Sequence, residues 1–138
     1  VALAKGASSF APSLNGRGVG LDFNPVPDRL RVVTNWDQSL RLNADTGVVA
    51  GVDTSLAYAA GDAGFGANPN IVACAYTNAF AGATSTTLYG IDSERDTLVR
   101  IGGLNGVPSP NGGQVFSVGA LGVNTGSFAG MDISPYGG

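Results

Sequence analysis

The chain has 138 residues, enough for one domain, with 43% apolar residues, 12% charged residues and a net charge of −3. Its six arginines are scattered and Lys5 is the lone lysine, which excludes the clustered basic footprint of a nucleic-acid surface. No apolar run approaches the roughly 18 residues of a membrane helix, and with no histidine and one cysteine the chain excludes Ser-His-Asp and Cys-His catalysis, an internal disulfide and a His- or Cys-cluster zinc site.

Residues 1–18 are rich in Ala, Ser and Gly and have room for one strand. The opening residue is Val1 rather than Met, which points to processing, truncation or a partial sequence. The run NGRGVG at 15–20 carries a G-x-G-x-G pattern, but no strand precedes it and no helix follows, so it is a turn into a strand rather than a dinucleotide fingerprint. Residues 19–24 (VGLDFN) form the first expected strand. Pro25 and Pro27 end it, because proline offers no N–H to a ladder. Residues 29–34 (RLRVVT) form the second strand, Asn35-Trp36-Asp37 a tight turn, 39–43 the third strand and 48–52 the fourth, with Asp45-Thr46-Gly47 turning the chain between the last two. Residues 53–70 are then expected to be a long loop of Ala, Gly and Asp.

The pattern restarts at 71–77, followed by strands at 86–92 (TTLYGID), 97–102 (TLVRIG) and 114–118, with a Gly/Pro/Asn loop at 104–113. It begins a third time at 128–134 (FAGMDIS). Gly20-Leu21-Asp22-Phe23 aligns with Ala73-Cys74-Ala75-Tyr76 and with Gly130-Met131-Asp132-Ile133, at spacings of 53 and 57 residues. Leu30 pairs with Leu88, Val33 with Ile91 and Leu40 with Leu98. Four short strands per unit of about 50 residues is the signature of a propeller blade. Glycine, at 22 of 138 residues, supplies the tight turns such a fold needs.

The expected fold is therefore all-β, with antiparallel four-stranded blade repeats of a β-propeller: two full blades and the first strand of a third. The units are 1–18, an N-terminal segment; 19–70, the first blade and its long loop; 71–127, the second blade; and 128–138, the opening of a third. The alternative is a compact two-sheet sandwich. A blade has two apolar faces and buries neither alone. Propellers close with 4–8 blades, so two blades imply further copies of the chain or other protein chains.

The stretches GLDFNPVPDRLRVV, SLRLNADTG and AYTNAFAGATSTTLYGIDSERDTL resemble a bacterial family of domains of unknown function, often exported and propeller-like. The resemblance runs from Gly20 to Asp132 and includes GALGV and GMDI. It implies an all-β repeat fold and no established activity. Family members carry a further repeat-containing segment before the position of Gly20, where this chain has nineteen residues.

Few residues suggest chemistry. Cys74, inside the apolar run IVACA, is expected to be a small buried hydrophobe. Glu94 and the aspartates 28, 45, 92 and 96 fall at turns, where carboxylates cap backbone N–H groups. Asp22 and Asp132 lie on innermost strands; with Asn24, Tyr76 and Asn78 they are the candidates for a channel ligand or metal site. Calcium is the cation their hard oxygens would suit, although no EF-hand loop is present. Blade-to-blade hydrogen bonding is the simpler role for these side chains.

Trp36 sits in a turn expected beside residues 53–70. It either packs beneath that loop or, with Tyr58 and Phe65, anchors a partner. These features point to a non-catalytic, exported interaction or structural subunit, periplasmic or extracellular, associated with a larger complex and bearing no cofactor. A channel enzyme and a carbohydrate-binding module are the alternatives.

Overall fold

A computed structural model describes residues 11–135. Among the described residues there are nine strands and two single-turn 3-10 helices, at Leu104–Gly106 and Pro110–Gly112: β1 Val19–Asn24, β2 Arg29–Thr34, β3 Ser39–Asn43, β4 Val49–Val52, β5 Ala57–Tyr58, β6 Ile71–Tyr76, β7 Leu88–Asp92, β8 Thr97–Ile101 and β9 Gln114–Ala120. The first four form an antiparallel sheet in the order β1-β2-β3-β4. The other five form a mixed sheet in the order β5-β9-β8-β7-β6, in which β5 runs parallel to β9. Neither sheet closes into a barrel. Among the described residues no helix is long and apolar enough to cross a membrane, which leaves strand-built membrane proteins untouched.

Turn chemistry sets the strand ends. Asn24 Oδ1 accepts from Val26 N (3.0 Å), and Asp28 takes φ 49° where the chain reverses into β2. Asn43 Oδ1 accepts from the N–H groups of Asp45 and Thr46, and Gly47 (φ 71°) completes the β3–β4 turn. Asp92 Oδ1 does the same for Glu94 and Arg95 between β7 and β8. An Asx oxygen replaces the missing ladder partner at these three reversals.

Opposed residues of an antiparallel pair point to the same face. In the first sheet, Leu21↔Val32↔Leu40↔Val52 therefore share the outer face, and Asp22↔Arg31↔Arg41↔Gly51 share the inner one. On the inner side Val33 joins Cys74, Tyr76, Leu88, Val99, Ile101 and Val115 of the second sheet in one buried cluster. The outer side carries a smaller cluster, Leu30, Val32, Leu40 and Leu42 with Val49, drawn from β2, β3 and β4 alone.

The two sheets touch most closely where β1 meets β6. A Cβ on Gly20 would stand 2.6 Å from the backbone of Ala73 and Cys74, so only glycine permits the approach. This contact explains the small residues of both strands.

Three expectations need correction. Residues 53–70 are not one open loop: Ala57 and Tyr58 form β5, held because Ala57 N donates to Gly113 O and Ala59 N to Val115 O (both 2.9 Å). Residues 128–134 form no strand, although they carry the pattern of β1. A strand exists only as a member of a ladder, and neither sheet includes this stretch. The N-terminal part of the 1–18 segment and the last part of 128–138 lie outside the described residues.

The third correction concerns the repeat. Leu40 does not match Leu98: Leu40 opposes Val32, and the residue opposing Gly90, the counterpart of Val32, is Val99. The β7–β8 hairpin is one residue longer than β2–β3, so the alignment slips by one beyond it.

Candidate functional site: a polar cleft between the sheets

Arg31 and Arg41 stand directly opposite one another on the inner face of β2 and β3. Two guanidinium groups side by side repel unless an anion is shared. Asp53, one residue beyond β4, supplies it. Its carboxylate forms a close ion pair with Arg31 Nη1 and accepts from Arg41 Nε (2.9 Å) and Nη2 (2.7 Å). The Asp53 hydrogen bond holds the Arg41 guanidinium above its usual pKa range. Gly51 lets Arg41 lie flat across β4, since a Cβ there would run into Nη2.

Arg31 is only 1% exposed and is bonded to both sheets and the connection between β8 and β9. Nε donates to Tyr76 Oη (3.2 Å), Nη1 to Ser39 Oγ (3.0 Å) and Nη2 to Asn111 Oδ1 (2.6 Å). One buried cation thereby ties β2, β3, β6 and the β8–β9 connection together. Such a charge is tolerated because every bond is charge-assisted and well directed. Arg31, Arg41 and Asn111 line one side of an open cleft of about 330 Å³, with Asn24 and Val26 of the β1–β2 turn, Ser85 before β7, and Asn105 after β8.

The channel candidates divide. Asp22, Asn24 and Tyr76 come together: Asp22 Oδ2 accepts from Tyr76 N (2.6 Å), and Asn24 lies against the Tyr76 phenol. Burial pushes the Asp22 carboxyl up, the N–H groups of Tyr76 and Phe23 oppose this, and the Asp132 charge adds to it. Burial likewise raises the Tyr76 phenol against the pull of Arg31 and Asn24. Asn78 stands apart, with φ 57° and its amide donating to Ser85 O (3.0 Å), so it shapes the β6–β7 connection. Asp132 repeats Asp22 locally: each Oδ1 accepts from the next residue's N–H, at 2.7 Å in Asp22 and 2.8 Å in Asp132. Among the described residues no three His, Cys, Asp or Glu side chains gather as a metal site would require.

The surface candidates also divide. Trp36 is 62% exposed and does not pack beneath the neighbouring loop. Its turn does lie beside that segment: Leu56 N donates to Asp37 O (2.9 Å), and Asn35 Nδ2 to Asn70 Oδ1 (3.1 Å). Phe65 is exposed as well. Tyr58 is not a surface anchor. It is buried, its hydroxyl donates to Asp92 Oδ2 (2.6 Å), and Arg95 lies over its ring. Burial and then Asp92 raise its phenol pKa.

Cys74 is buried and burial pushes its thiol up to about 12, which leaves it a packing residue. Asp37 Oδ1 is buried without a hydrogen-bond partner among the described residues, and burial raises its carboxyl.

Sequence reasoning overlooked Arg31, Arg41, Asp53 and Asn111. The signal was present for the first two: RLRVV and SLRLN each place a charge at a position whose neighbours alternate into the core. Asn111 had none, because its role depends on a loop folding back across 80 positions.

The fold and the cleft define an all-β domain of two stacked sheets joined by a buried ion cluster. Over residues 1–137 the sequence matches the profile of Domain of unknown function (DUF4394), and the chain belongs to that family. No curated protein and no solved structure gave a significant match.

Proposed function

We propose that the chain is a non-catalytic, exported interaction module, two consecutive blades of a propeller-type assembly that other protein chains or copies of itself complete. The carrying observation is the apolar outer face of the first sheet. Leu21 is 59% and Val52 62% exposed beside the Leu30–Val32–Leu40–Leu42 cluster, and Phe23 is exposed too. On the second sheet Tyr89, Ile91, Leu98 and Phe116 are half-buried on the corresponding outer face. Oily rows flanking a stack of sheets suit further sheets.

The repeat adds support. Ala129, Gly130 and Met131 line a groove with Gly20 and Ala73, next to the two inner strands. That is where the first strand of a further blade would begin. Export rests on the lysine-poor, small-polar composition. The absence of histidine favours a non-catalytic role.

Introducing polar side chains on the outer face tests the reading. Leu21→Asp with Phe23→Ser is expected to reduce self-association or partner capture while leaving the circular dichroism of the sheets intact. Unchanged association in that variant would count against the proposal.

A further inference from the structure

The cleft that Arg31 and Arg41 line has a composition that the interaction reading does not use. Both of its charged lining residues are arginines, and no acidic side chain lines it. Asp53 lies behind the wall with 4% of its side chain exposed, occupied by guanidinium contacts. Arg41 is one-third exposed, and its Nη1 has no hydrogen-bond partner among the described residues. The cleft is thus bordered by a fixed guanidinium with unused donors. The rest of the lining is neutral and polar: Asn24, Thr84, Ser85, Asn105 and Ser109, over a floor that includes Val26 and Pro110. Asn105 is held at φ 54° by its own N–H, which donates to Thr87 Oγ1 (2.9 Å), and its amide has no partner among the described residues.

We infer that this cleft binds a small hydroxyl-rich carboxylate, an acidic monosaccharide, with its carboxylate on Arg41 and its hydroxyls on the Asn and Ser side chains. A planar guanidinium edge is matched to a carboxylate. Amide and hydroxyl side chains donate and accept at once, as sugar hydroxyls require. The volume of about 330 Å³ falls at the small end of ligand pockets. Arg31 serves as a positioning residue, since its bonds to Asp53 and Asn111 fix the wall against which Arg41 and the loop stand.

Calorimetric titration of the full chain with glucuronate, glucose, acetate and inorganic phosphate tests this. Glucuronate is expected to bind saturably, more tightly than acetate or phosphate, and with affinity that falls as salt rises. Glucose is expected to show no saturable heat. Arg41→Gln is expected to weaken glucuronate at least tenfold, and Asn105→Gly severalfold, with thermal midpoints close to the parent. Asp53 keeps Arg31 in the first variant, and glycine accepts the positive φ in the second. No saturable glucuronate binding, or binding unchanged in both variants, would overturn the site. Phosphate or acetate binding as tightly as glucuronate would overturn the sugar-acid assignment.

Discussion

Asp53 is the residue on which the polar interior turns. It is the only acid in contact with Arg31 and Arg41 among the described residues. Removing it leaves Arg31 buried without its counter-ion, a loss of about 3–5 kcal/mol by comparison with broken buried pairs. Asp53→Ala should therefore unfold at much lower denaturant than Arg41→Gln, in which Asp53 keeps Arg31; equal midpoints would refute this ranking. Two other carboxylates respond to pH in opposite senses. Burial raises the Asp22 carboxyl above its ordinary 3.8, so its contribution is present at low pH and lost as pH rises through the folded value. Burial also pushes Asp62 up, but the Gly64 N–H, the Ser117 hydroxyl and N–H, and the Arg95 charge outweigh it and bring the carboxyl below 3.8. Its contribution is present above 3.8 and lost as pH falls. Between neutral pH and pH 3, thermal midpoints of Asp22→Asn should fall more steeply than the parent's and those of Asp62→Asn less steeply. Slopes that change in the same direction would contradict the assignment.

At the scale of elements, the strands with clear alternation and Pro/Asx punctuation were legible: β1, β2 and β3 fall where the sequence puts them, and β4, β6, β7, β8 and β9 differ only at their ends. β5 was not legible. Two residues carry no period, and Ala57–Tyr58 is a strand only because β9 lies alongside. Residues 128–134 show the converse, a strand pattern with no ladder to join. The Arg–Asp–Arg cluster was half legible, since period-2 spacing places both arginines inward, while Asp53 and Asn111 reach them only through tertiary folding. The β1–β6 contact gives the sharpest element-level prediction. Gly20→Val would drive side-chain atoms into the Ala73 backbone, which cannot move without breaking the β6–β7 ladder. A loss of about 3 kcal/mol or more is expected, at the upper end of overpacking. An equilibrium denaturation midpoint matching the parent's would show that the two inner strands do not meet as described.

For the whole molecule the decisive feature is what lies beyond the outer faces. The inner junction is complete: apolar residues of both sheets share one cluster, and Arg31 is bonded across it. The outer rows are not, and an exposed Leu21 and Val52 beside buried Leu40 and Val32 form the kind of patch that seeks a cover. Mass measurement by multi-angle light scattering on the purified chain, across a concentration series, addresses this most directly. Species heavier than the 13.8 kDa chain are expected, reverting toward that mass in Leu21→Asp with Phe23→Ser. A folded species that stays at 13.8 kDa at every concentration, alone and with extracts of its source, would contradict it.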